Sequence, residues 1–244
     1  MASHAIAFAE DWPAEATAEP RPADAVAGRE LEPLRLGIIG AGKLGTTIAR
    51  AAIAAGYDVG VSGSGPADDI ALVVEVLAPG ARTGSTKEVV DQADVIVLAV
   101  PTHRFRELAR DLFAGKILID TMNYWPQVDG DDPELAAATD GTSTVVQDHF
   151  SSARVVKSLN QLGYHELEEN RRPKGAPGRV AVGAAGEDRA AVATAMRLID
   201  RLGFDPVDAG PLEHGVALQP DGSPFAVTYT ADELRDLLER YPSE

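Results

Sequence analysis

Six residues, Gly40-Ala41-Gly42-Lys43-Leu44-Gly45, have the spacing G-x-G-x-x-G. Each glycine has a separate job when such a run links a strand to a helix. Gly40 permits the tight turn, Gly42 lets a pyrophosphate approach the backbone, and Gly45 lets the helix pack on the strand. Free N–H groups and the dipole at the helix start favour an anion. The motif is weak by itself, so its surroundings matter. Leu34–Ile39 reads as a buried strand before it. Leu44, Ile48, Ala51, Ala52 and Ala55 recur at helical spacing after it, and Tyr57–Val61 reads as a second strand. Strand, loop, helix and strand within about 30 residues predict a dinucleotide site.

The second strand runs into Ser62-Gly63-Ser64-Gly65. An NAD site usually has Asp or Glu about 20 residues past the loop, on the ribose 2′-hydroxyl. Here Ser62 and Ser64 are expected to bond a 2′-phosphate, with Lys43 as the cation, which favours NADP(H). Asp68 and Asp69 just beyond are expected to be helix-start residues. Two further segments follow strands and should face the same crevice. Val100-Pro101-Thr102 would run beside the nicotinamide half, and Asn123 would hold its carboxamide or ribose. Tyr124 and Trp125 would wall the site. His103 is expected on a helix start or in solvent, and no side-chain acid or base is expected to act.

These residues need a frame, and the chain alternates to provide it. Helices are expected over Pro66–Ala78, Thr86–Ala93, Arg104–Phe113, Thr144–Phe150 and Asp188–Leu202. Strands are expected over Asp94–Val100, Lys116–Asp120, Arg154–Leu159, Arg179–Gly183 and Phe204–Asp208. Apolar strands with helical crossovers predict an α/β fold, a Rossmann-type doubly wound and mostly parallel sheet. Gln161–Gly178 shows no periodicity and reads as a lid or interface loop. In the tail, Phe225–Tyr229 reads as a strand. Thr230-Ala231-Asp232-Glu233 is a capping box before a helix striped by Leu234, Leu237 and Leu238. The expected organisation is a 1–33 extension, a 34–212 dinucleotide-binding domain, and a 213–244 strand-helix tail.

The 244 residues carry 22 Lys+Arg against 38 Asp+Glu, a net charge of −16, which argues against nucleic acid and anionic membrane surfaces as partners. With no cysteine, thiolate chemistry and cysteine-based metal sites are excluded. The five histidines have no metal-ligand spacing, so no metal is expected. Residues 1–33 hold ten Ala, four Pro and seven acids, a composition expected of a disordered extension and unlike a signal or transit peptide. A cytoplasmic location is the expectation. The alternative reading of this segment docks Ile6, Phe8 and Trp12 onto the domain or a second subunit.

LGIIGAGKLGTTIARAAIAAGYDV, VSGSGP, ADVIVLAVP, GKILIDTMNYW, ARVVKSLNQLGYHEL and RLGFDPVDAGPL together resemble the NADPH-dependent reductases of the deazaflavin coenzyme F-420. The resemblance implies hydride transfer between NADP(H) and F-420 or a flavin-like co-substrate. It places that second coenzyme near Pro101–Thr102, Asn123, Leu159, Asn160 and the turn Gly210-Pro211-Leu212. It also implies a homodimer, with which the striped tail helix agrees. Two departures matter, the first for NADP preference and the second for the identity of the acceptor. The family commonly has Ser-Arg after the second strand, where this chain has Ser64-Gly65, and Gln161–Gly178 and the tail from Glu213 differ. The alternatives are a 3-hydroxy-acid-type dehydrogenase and a non-catalytic NADP-sensing module. The former adds a large helical domain carrying a catalytic Lys, whereas 32 residues follow Leu212 and Lys157 falls in an expected strand.

Overall fold

The computed structural model describes residues 34–220, 222 and 224–240, so the expectations for 1–33 lie outside the described residues. Eight strands form one sheet: β1 (Arg35–Ile39), β2 (Asp58–Ser62), β3 (Arg82–Thr83), β4 (Val95–Leu98), β5 (Ile117–Asp120), β6 (Arg154–Ser158), β7 (Ala181–Ala185) and β8 (Asp205–Gly210). Their order is β3-β2-β1-β4-β5-β6-β7-β8. All neighbouring pairs are parallel except β6 and β7, which are antiparallel. The chain builds outward from β1 to β3, then returns to place β4 on the other side of β1. That reversal opens a crevice beyond the C-terminal ends of β1 and β4.

Helices cover both faces: α1 (Lys43–Ala54), α2 (Ala67–Leu77), α3 (Thr86–Gln92), α4 (Pro126–Asp129), α5 (Pro133–Ala136), α6 (Thr142–His149), α7 (Tyr164–Glu169), α8 (Arg189–Leu202) and α9 (Ala231–Arg240). One apolar layer joins Ile48 and Ala52 of α1, Val74 of α2 and Ile199 of α8 to Ile38, Val61, Val97 and Val182 of the sheet. The other joins Val90 of α3, Phe105, Phe113 and Phe150 to Ile96, Leu98 and Leu118. α8 is bounded as its sequence dictates. The Asp188 carboxylate accepts from the Ala191 N–H at the start, and Gly203 adopts φ 105° at the end.

Three expected elements differ. Residues 104–113 form two 3-10 turns, Thr102–Glu107 and Arg110–Phe113, instead of one α-helix. Burial of Phe105 and Phe113 in the same layer sets that path. Within 161–178, where no helix was expected, α7 packs on α1 and buries Leu167. Residues 225–229 form no strand. Ala226 adopts φ 56°, which breaks an extended run, and the Ala181 N–H donates to the Tyr229 carbonyl at the segment's end. The capping box holds: Thr230 N–H and Oγ1 each donate to Glu233 Oε2 at 2.8 Å. The α9 stripe packs on this same chain, with Leu234 buried against Ala181 and Val207. It therefore offers no separate ground for a dimer.

Under the crevice lies a charge that an apolar sheet would not be expected to hold. Lys157 on β6 and Asp120 on β5 are both fully buried, with Nζ and Oδ2 3.4 Å apart. Lys157 also donates to the Met122 carbonyl. The remaining acceptor capacity of Asp120 is met by Ser143 Oγ at 2.6 Å and the Met122 N–H at 2.9 Å. Burial pushes the Lys157 ammonium below the ordinary lysine range, and Asp120 opposes that shift. Removing one member of such a pair leaves the other uncompensated in the interior. Lys157→Ala should lower unfolding stability by about 3–5 kcal/mol, measured by denaturant titration. A loss below about 1 kcal/mol would show that Asp120 finds water or a proton instead.

Candidate functional site

The glycine loop is built on contacts between backbones. Gly40 adopts φ 125°, and a Cβ there would stand 2.2 Å from the Ala99 carbonyl oxygen. A Cβ on Gly45 would stand 1.9 Å from the Gly40 carbonyl oxygen. Neither position admits a side chain. The Gly40 N–H donates to the Ser62 carbonyl at 2.9 Å, pinning the loop to β2. Gly42 is different. It is exposed at the N-cap of α1 with φ −78°, and a Cβ there would meet nothing within 4 Å. Any residue fits the backbone at 42, so a glycine here keeps space open on its outer side. No side chain caps α1, and its first turn carries no acid. Its leading N–H groups have no partner within the helix.

At the tip of β2 the two expected serines part. Ser62 is fully buried and its Oγ has no partner among the described residues, whereas Ser64 is exposed. Lys43 does not reach either: its ammonium donates to the Tyr164 hydroxyl at 3.2 Å. Asp69, read as a helix-start residue, is in the first turn of α2 and also borders the tip. Its Oδ2 would be 2.8 Å from a Cβ on Gly65. The tip therefore has a nearby carboxylate that the strand sequence alone does not reveal.

Beyond β4, β5 and β6 the expected residues are tied to one another. Val100 is half-buried, Pro101 exposed and Thr102 buried. Thr102 Oγ1 donates to the Asn123 carbonyl at 2.7 Å. Asn123 Nδ2 donates to the Asn160 carbonyl at 2.9 Å, and Asn160 Nδ2 returns a bond to Asn123 Oδ1 at 3.0 Å. Asn160 Nδ2 also donates to the Leu218 carbonyl at 2.7 Å, leaving its own Oδ1 buried without a partner among the described residues. That reciprocal pair uses both polar ends of the Asn123 amide, so Asn123 is held in place by Asn160. Leu159, buried, sits at φ 59°, a strained conformation for leucine that the neighbouring bonds maintain.

Tyr124 uses its hydroxyl to brace the following loop, donating to the Gly130 carbonyl at 2.9 Å and accepting from the Asp132 N–H at 3.0 Å. Trp125 meets Phe225 edge to face at 5.8 Å between centroids. Leu212 is buried in the layer that contains Ile39, Leu98 and Met122, with half-buried Pro211 before it. Pro211 and Leu212 make no hydrogen bond to Asn123 or Asn160 among the described residues. His103 is exposed, with Nδ1 2.8 Å from Asp129 Oδ1.

A cavity of about 520 Å³ opens at the opposite end of the sheet, lined by Arg35, Asp58, Arg82 and Glu88. It lies at the starts of β1 and β2, whereas ligands of open α/β sheets bind beyond the strands' C-terminal ends.

Residues 35–124 match the family model described as NADP oxidoreductase, coenzyme F420-dependent. The Escherichia coli K-12 protein YjhV is 43% identical over 77 residues, which are 31% of this chain and 53% of that one. The match thus spans about half the length of that relative. A solved structure of a hypothetical protein from Sinorhizobium meliloti covers 84% of this chain and 98% of its own, at TM-score 0.69 and 24% identity. One from Arthrobacter sp. FB24, provisionally described as an F420-dependent NADP reductase, covers 73% and 86%, at TM-score 0.60 and 26% identity. The eight-stranded, mostly parallel sheet is an α/β, Rossmann-like fold that these solved structures share. The family-model match runs from β1 through the Asn123 loop, so it takes in the glycine loop, the β2 tip and the end of β4.

Proposed function

We propose that this chain binds NADP(H) across the crevice over β1 and β4 and exchanges hydride between the nicotinamide and a deazaflavin or flavin-like ring. The observation that carries this reading is the open space at Gly42, in a loop whose other two glycines are required by backbone contact. It is a cradle that a side chain would fill, set at the uncapped N-terminus of α1. The family description and the description of the Arthrobacter protein support NADP(H) and F-420 as the pair.

The dinucleotide, when bound, supplies the transferable hydride. The chain's own residues then have three tasks. The N–H groups at Gly42, Lys43 and Leu44 hold the pyrophosphate. The Asn123–Asn160 pair, locked by the Thr102 hydroxyl, fixes one edge of the crevice so that two rings meet at near-attack distance. Half-buried Tyr124 and Pro211 are the members of the expected second-coenzyme set that would line its apolar side and exclude water, whereas Leu159 and Leu212 are buried behind them. Hydride transfer between rings needs no hydroxyl proton removed, so no side-chain base is called for. Lys157, the one amine that a hydroxy-acid mechanism would recruit, is sealed against Asp120.

Two outcomes follow. Purified protein should consume NADPH in the presence of F-420 or FMN, followed by absorbance. Gly42→Val should abolish NADPH binding and turnover while keeping the melting temperature within a few degrees, because the added Cβ has no protein atom within 4 Å and the backbone at 42 is in an ordinary region. Retained NADPH affinity in that variant contradicts the assignment. The second outcome concerns selectivity, carried by Ser64 against the nearby Asp69. NADPH should bind about tenfold more tightly than NADH, about 1.4 kcal/mol by calorimetry. Asp69→Asn should widen that gap and Ser64→Asp should erase it. Equal affinities in the unaltered protein would reduce Ser62–Gly65 to a plain turn.

A further inference from the structure

Tyr164 lies 121 residues beyond Lys43 in sequence, yet its hydroxyl accepts a hydrogen bond from the Lys43 ammonium. The same ammonium sits 5.2 Å from the centre of the Tyr164 ring. Nothing in the local sequence of either residue announces this contact, and it is not an accident of two flexible side chains. α7 is fastened along α1 at successive points. Arg50 forms a two-pronged ion pair with Glu168, with Nε 2.9 Å from Oε1. Arg171 donates to the Ala51 carbonyl at 3.3 Å. Leu167 is buried in the layer that α1 shares with the sheet. Partners 43 with 164, 50 with 168 and 51 with 171 run in the same direction, so the start of α7 stands beside the start of α1.

That places a phenol and an ammonium next to Gly42, the exposed glycine whose outer side is open. The ammonium donates one of its protons to the phenol, and two remain; the phenol keeps its own O–H to give. Three donors therefore remain at the rim of the uncapped helix. Ser64, the exposed serine at the β2 tip, makes no hydrogen bond to Lys43 among the described residues. We propose that Lys43 and Tyr164 act as one unit that binds the pyrophosphate oxygens of the dinucleotide, with Tyr164 a binding residue supplied by α7. The unit reads the pyrophosphate and not the 2′-phosphate, so it strengthens NADPH and NADH alike. This rests on the dinucleotide reading of the glycine loop and adds a residue that lies outside the matched segment 35–124.

Calorimetry on the full chain tests it with four probes: NADPH, NADH, ADP-ribose, which has the pyrophosphate and no 2′-phosphate, and 2′-AMP, which has the reverse. Tyr164→Phe should weaken NADPH, NADH and ADP-ribose by a similar factor, about three- to tenfold for one bond to a charged group, and leave 2′-AMP unchanged. The double variant Lys43→Ala/Tyr164→Phe should be little worse than Lys43→Ala alone, because the two act together. Circular dichroism and melting of Tyr164→Phe should match the unaltered protein, since the change removes one hydroxyl. Unaltered affinity for all probes, or a loss confined to 2′-AMP and NADPH, overturns the proposal. Failure of the unaltered protein to bind any of NADPH, NADH and ADP-ribose overturns the dinucleotide reading itself and this proposal with it.

Discussion

Backbone-to-backbone contact at the switch between β1 and β4 is the constraint on which the rest of the site depends. The Gly40 loop presses on the Ala99 carbonyl, and α1 presses on the Gly40 carbonyl through Gly45. With both side chains absent, α1 starts close against the C-terminal ends of β1 and β4. A methyl at either glycine would have to push the helix or β4 aside. Either movement would shift the space at Gly42 relative to Val100–Thr102. The geometry is therefore fixed before any ligand arrives, so little ordering cost remains to be met on binding.

A second, polar constraint fixes the opposite wall. Lys157, Asp120 and Ser143 join β6, β5 and α6, and Lys157 grips the Met122 carbonyl. Asn123 follows directly and is caught between Thr102 and Asn160. Ionic groups in an interior seldom add net stability over an apolar core. Here they hold a short irregular loop at one height above the sheet, which apolar packing, being non-directional, would not specify. Leu159 at φ 59° is held in the same network.

Local chemistry made much of this legible from the amino acids alone. The glycine spacing, the buried run of β4, the capping box at Thr230–Glu233 and the Asp188 start of α8 are all written within a few residues. What sequence did not show depends on partners far along the chain. The 3-10 path of 102–113 follows from where Phe105 and Phe113 must be buried. The irregular course of 225–229 goes with bonds to residues far back in the chain, from the Ala226 N–H to the Gln161 carbonyl and from the Ala181 N–H to the Tyr229 carbonyl. The diversion of Lys43 to Tyr164 depends on α7 docking on α1. The approach of Asp69 to Gly65 depends on the angle at which α2 leaves its turn. The Asn123–Asn160 exchange joins two loops 37 residues apart, and neither asparagine's neighbours reveal it.

On the reading proposed above, the nucleotide binds at the C-terminal strand ends, over Gly42, and not in the cavity at the other end of the sheet. Hydrogen–deuterium exchange of the full chain with and without saturating NADPH separates the two directly. Exchange should slow at the Gly40–Thr46 amides and at 99–102 and 121–124, with 58–60 and 82–88 unchanged. Protection confined to the segments around Arg35, Asp58 and Arg82, with the glycine loop exchanging as before, would contradict it.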